Sequence, residues 1–162
     1  MKRQEAERFI GKTVACWTAL RGSYIGTLIE ITNHRPWRGK VRILAITEYP
    51  VQGLSNYSAG FKMRKPAGFG DVWEFGNSSI VPYDGDVPDY RESLVCALRK
   101  SINKLEIAIA LGNKIGKKDV LLERWLDVLR ERLQELLFYT ASPAKKVAQI
   151  EDFYEGKGVD VK

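Results

Sequence analysis

The sequence of 162 residues contains a single histidine, His34. That scarcity argues against His-ligated metal centres and Ser-His-Asp nucleophiles, because both need imidazoles placed among partners. There are two cysteines, Cys16 and Cys96, each in an apolar stretch with no cysteine nearby. The pattern predicts two buried, reduced thiols and a reducing compartment, the cytoplasm. No apolar run approaches the ~20 residues of a membrane-spanning helix. The opening Met1-Lys2-Arg3-Gln4-Glu5-Ala6-Glu7-Arg8 lacks the apolar core of a secretory signal. No internal repeat and no low-complexity segment is present. What remains is an ordinary globular balance, 44% hydrophobic and 28% charged, long enough to bury a core without disulfide or metal staples.

Residues 13–82 read as β. Thr13–Leu20, Tyr24–Thr32, Lys40–Glu48, Gly60–Lys65, Asp71–Phe75 and Ser79–Pro82 are short runs with alternating or β-branched character, separated by Gly, Pro, Asn and Ser. Ile25, Ile29 and Ile31 would share one face of the second run, and Val41, Ile43 and Ala45 one face of the third. Gly26 inside a run predicts a bulge or sharp bend. Short strands with tight links suit a small antiparallel barrel better than βαβ crossovers. Ser79-Ile80-Val81-Pro82-Tyr83 resembles the last strand and 3₁₀ turn of SH3-like barrels.

Residues 89–155 read as α. Pro88 stops the β region, and Asp89-x-x-Glu92 has capping-box spacing. Leu94, Leu98, Ile102, Leu105 and Ile109 make a helical stripe ending near Gly112. Asp119 can cap a second helix striped by Leu122, Leu126, Leu129, Leu133 and Leu136. Ser142-Pro143 would open a third, short helix over 143–155. The predicted fold class is α+β: an SH3-like small antiparallel β-barrel (1–88), then an antiparallel helical hairpin with a short third helix (89–162) packed on it. The second helix is apolar on more than one side. Either the barrel covers the extra face, or Leu121, Leu122, Trp125, Val128 and Leu129 are a contact for self-association or a protein partner.

The charge is uneven. Seven of the 26 basic residues but one of the 20 acidic residues fall between Asn33 and Gly70, so the whole excess of +6 lies there. Arg35, Arg38, Lys40 and Arg42 form one cluster around Trp37. Lys62, Arg64 and Lys65 form another, followed by Phe69 between two glycines. Cations neutralise phosphates and aromatic rings stack on unpaired bases, so these nine residues are candidate contacts to DNA or RNA. The alternative is that they are solvated hairpin tips with Trp37 folded back onto the barrel. No helix shows a one-signed polar face, which argues against a membrane surface.

Other motifs have plainer explanations. Ala6-x-x-x-x-Gly11-Lys12-Thr13 imitates a phosphate loop, but bulky residues replace its glycines and a strand follows it, not a helix. Asp84, Asp86 and Asp89 fit a turn and a helix cap better than a cation site. Asp71 and Glu74 read as edge charges, and the sequons at Asn56 and Asn77 have no secretory context. No catalytic residue, metal site or cofactor is expected. The sequence reads as a non-catalytic binding protein, either a nucleic-acid accessory protein using the barrel loops or an interaction protein using the helical hairpin.

Overall fold

The computed structural model describes residues 2–33, 35–52 and 64–141, with the last three traced by backbone alone. A short helix, α1 (Arg3–Glu7), precedes strands β1 (Thr13–Thr18), β2 (Gly22–Ile31), β3 (Arg38–Glu48), β4 (Val72–Gly76) and β5 (Ile80–Pro82). Two long helices follow, α2 (Tyr90–Lys114) and α3 (Val120–Ala141). The strands form one antiparallel sheet in the order β4-β3-β2-β1-β5. A 3₁₀ turn, Asn77–Ser79, carries the chain from one edge strand to the other. Among the described residues no ladder joins β4 to β5, so the sheet is not a closed barrel.

β3 has the expected alternation: Val41, Ile43 and Ala45 are all buried. β2 departs from the reading. Ile25 is buried as expected, but so are Tyr24 and Leu28, while Ile29 and Ile31 are only half-buried. The cause is irregular register: the β2–β3 pairing shifts at Ser23/Tyr24, Ile25/Gly26 and Leu28/Glu30, and each shift changes which side chains point inward. Gly26 sits at one of them. A Cβ there would lie 2.4 Å from the Arg42 carbonyl oxygen, so only glycine lets the two strands approach.

Both long helices start where the sequence places them. The Asp89 carboxylate accepts from the Arg91 and Glu92 amides at 2.8 and 3.1 Å. Asp119 accepts from Leu121 and Leu122 at 3.0 and 3.2 Å. These side chains satisfy amides that lack a partner in the first helical turn. α2 overruns Gly112 and ends at Lys114, with Gly116 at φ +69 in the turn. Gly112 serves that turn differently: its carbonyl accepts from the Ile115 and Lys117 amides.

One core joins the layers. It runs from Val14, Tyr24, Val41, Phe75 and Ile80 of the sheet to Leu94, Leu98 and Ile102 of α2 and to Leu126 and Leu129 of α3. Buried Ser93 adds a polar tie, accepting from the Ile46 amide at 3.1 Å and donating to the Tyr90 carbonyl. Cys16 is buried as expected, but Cys96 is exposed. It lies beside the stripe, between buried Ala97 and the solvent face. The expected third helix lies outside the described residues. So does most of the expected strand Gly60–Lys65, of which Arg64 and Lys65 are described and are not in a strand.

Candidate interaction surface

Among the described residues the two basic segments come together only where Gly70 bonds to Ile43 beside Arg42, and their outer arginines lie far apart. Arg38 opens β3 opposite Gly76, whereas an Arg64 guanidinium nitrogen donates to the Val51 carbonyl at 2.7 Å, beyond the other end of β3. A strand of eleven residues separates its ends by about 30 Å. Within the first segment Trp37 is only 6% exposed and belongs to the core, so its ring offers no face for a base. Lys40 is bonded to Glu30 at 2.8 Å, and Glu74 is its register partner on β4. The bond to Glu30, then the charges of Glu30 and Glu74, raise the Lys40 pKa above its ordinary value. Arg35, Arg38 and Arg42 are exposed. Lys62 lies outside the described residues.

The second segment builds something else. Gln52 and Arg64 clasp each other: the Arg64 amide donates to the Gln52 side chain at 2.9 Å, and Gln52 returns a bond to the Arg64 carbonyl at 3.0 Å. Downstream, two tyrosines hold Ala67. Its amide donates to the Tyr24 hydroxyl at 3.2 Å, and its carbonyl accepts from the Tyr90 hydroxyl at 2.6 Å. Tyr24 in turn donates to the Arg21 carbonyl. The segment from Arg64 to Asp71 is thus fastened to β2 and α2. Phe69 is 67% exposed and meets Tyr90 edge-on at 5.9 Å.

Between this segment and α3 lies a groove of about 480 Å³. Tyr49, Tyr90 and Leu94 line it beside Lys65 and Pro66, and α3 contributes Val128, Glu131, Arg132 and Glu135. Burial raises the pKa of both Tyr49 and Tyr90 above the ordinary value, and Arg132 opposes the shift at each. Arg132 is itself held by Glu135 at 2.7 Å. The groove therefore offers the half-buried ring of Tyr90, with the edge of Tyr49, only 4% exposed, at its base and fixed charges of both signs at its rim. Tyr49 also borders a second hollow, of about 320 Å³, with Pro50, Val51, Ala97, Lys100 and Lys104.

The helical seam turns inward. Trp125 and Leu129 are 2% and 1% exposed, and Leu121, Leu122 and Val128 are half-buried. At Trp125 and Leu129 burial within the chain, the first of the two alternatives, is what the structure shows. The seam is wide because Leu126 and Leu129 belong to the core shared with the sheet while α3 also packs on α2. Val128 does reach a candidate site, as one wall of the groove. Sequence reasoning missed Tyr49 and Tyr90 there, since nothing in their spacing signals that a loop and two helices will enclose them. The other motifs are absorbed by local structure. Gly11, at φ +82, precedes β1 and its amide donates to the Leu28 carbonyl, and Asp89 is occupied as a helix cap.

The family model for KapB, kinase associated protein B, matches residues 20–111. The chain belongs to this family. The match spans β2 to β5 and most of α2, so it includes Tyr49 and Tyr90 but not α3. A curated relative, kinase-associated lipoprotein B of Bacillus subtilis (strain 168), is 37% identical over 78 residues, 45% of this chain. The matched region spans 59% of that relative's length. The crystal structure of kinase-associated protein B from Bacillus cereus superposes with a TM-score of 0.57 at 26% identity, covering 78% of this chain and 94% of that one. No helix among the described residues is long and apolar enough to cross a membrane.

Proposed function

We propose that this KapB-family chain is a non-catalytic protein-interaction module that associates with a kinase, taking a short segment of its partner into the Tyr49–Tyr90 groove. The observation that carries the reading is the groove itself: a concave site with Tyr90 on its wall, the edge of Tyr49 at its base, a proline beside them and fixed charges at the rim suits an extended peptide. The family's name supports the kinase as partner. An SH3-like architecture is part of the proposal, supported by the strand order and by the 3₁₀ turn between β4 and β5. The free cysteines support work in a reducing cytoplasm. The nucleic-acid reading keeps exposed Arg35, Arg38 and Arg42, but Trp37 lies in the core and Arg64 beyond the other end of β3, so the groove is preferred.

A photo-crosslinking residue placed at Lys65 in cells is expected to label a protein kinase, identified by mass spectrometry, while one placed at Arg35 labels none. No kinase labelled from Lys65, together with retention on polyanion resin that Arg35→Ala and Arg38→Ala remove, would overturn the proposal in favour of nucleic acid.

A further inference from the structure

The far end of the helical hairpin exposes apolar residues that the core does not use. Ile107, Leu111, Ile115 and Val120 are 52%, 59%, 70% and 69% exposed. The first three recur every fourth residue, so they run as one line along α2 and off its end. Val120 opens α3 across the turn that Gly116 and the Asp119 cap hold in place. The same sector of α2, at 100° per residue, carries exposed Lys100, Lys104 and Lys114, and the turn adds Lys117 and Lys118, so contrary to the sequence expectation this end of the hairpin does present a one-signed polar face. Of the acids nearby, Glu106 is held by Arg130 at 2.6 Å, and exposed Asp127 lies about two turns along α3 from Val120. Glu48 lies 3.5 Å from Lys104, Glu123 lies 3.5 Å from Lys118, and Asp119 caps α3.

We infer that this tip lies on an anionic lipid bilayer, with Ile107, Leu111, Ile115 and Val120 entering the interface and the lysines meeting lipid phosphates. Apolar side chains flanked by lysines are the arrangement that binds such surfaces without spanning them. A second copy is the poorer occupant, because a two-fold contact along this stripe would set lysine against lysine. The groove at Leu94 is 17 residues before Leu111, about 25 Å along the helix, so a docked tip leaves it open. The inference does not depend on what the groove binds.

The test is flotation of the purified full chain with phosphatidylcholine vesicles, either pure or with about one-third phosphatidylglycerol. The chain is expected to float with the anionic vesicles, not with the neutral ones, and to release as salt rises. Lys114→Gln and Lys117→Gln should each weaken binding about fivefold. Leu111→Asn with Ile115→Asn should abolish it while leaving the circular dichroism and thermal transition unchanged, since both sites are exposed. The inference is overturned by absence of wild-type binding to anionic vesicles, or by wild-type binding in the double asparagine variant. It is also overturned by a dimer in light scattering that this variant dissociates, or by a protein partner crosslinked from Ile115 in place of lipid.

Discussion

The two halves of the helical hairpin share one set of helices and differ in nearly everything else. Near the sheet, α2 buries Leu94, Ala97, Leu98 and Ile102, Ser93 bonds to β3, and Arg91 reaches the Leu136 carbonyl of α3 at 2.8 Å. Towards the tip the helices have only each other, and Ile107, Leu111 and Ile115 stand in solvent. Helix periodicity is the same throughout. Stability comes from what lies opposite the stripe rather than from the stripe itself. The anchored half holds the groove in shape, and the free half is available for contact.

This contrast can be broken at its strongest point. Leu98→Ala should lower the unfolding free energy by about 2–5 kcal/mol in chemical denaturation, the usual cost of a cavity in a packed core. A loss below about 1 kcal/mol would mean that the hairpin rides on the sheet loosely.

The next largest effect is on the alkaline side. Burial pushes Cys16 up to about 12, from 9.0, and Tyr24 up to about 12, from 10.0. Both groups are neutral when protonated, and folding favours that form. Their contribution is complete below the unfolded values and is lost as pH climbs through the folded ones. Stability should therefore fall from about pH 9 to about pH 12, and Cys16→Ala should flatten the lower part of that fall. Thiol titration of native protein near neutral pH is expected to find Cys96 and not Cys16, with both reacting after denaturation.

The capping residues sharpen the comparison further. Asp89→Ala and Asp119→Ala remove equivalent pairs of bonds, each worth about 1 kcal/mol. At Asp89 the loss should appear in global unfolding, because that cap sits beside the core. At Asp119 it should appear mainly as faster amide exchange in the first turn of α3, with the global transition little changed. The smallest effect is expected at Leu111→Ala, within about 0.5 kcal/mol of the wild type. A large loss there would show that the tip is packed.

The sequence was most readable where one residue acts on its immediate neighbours. Asp89 and Asp119 announced both helix starts, and the alternation of β3 announced its buried face. It was least readable where distant chain decides. Charge density along the sequence could not reveal that the length of β3 would separate Arg38 from Arg64, or that Glu30 and Glu74 would flank Lys40. The shifted register of β2 comes from its pairing with β3, so Tyr24 could not be seen as the inward residue. Trp37 between arginines looks the same in a sequence whether it stacks on a base or enters the core. The tip was hidden for a related reason. Ile107, Leu111 and Ile115 have helical spacing, and nothing local says that the sheet stops short of them.

The clasp between Gln52 and Arg64 has a consequence for how such chains diversify. Two reciprocal bonds, with the Arg64 guanidinium on Val51, fix the points where the chain departs and returns. Doubling the length of a flexible insertion adds only about 0.6 kcal/mol of closure cost. The clasp thus gives length variation between residues 52 and 64 two fixed ends to close on, so chains of different length there can share the Arg64–Asp71 fastening.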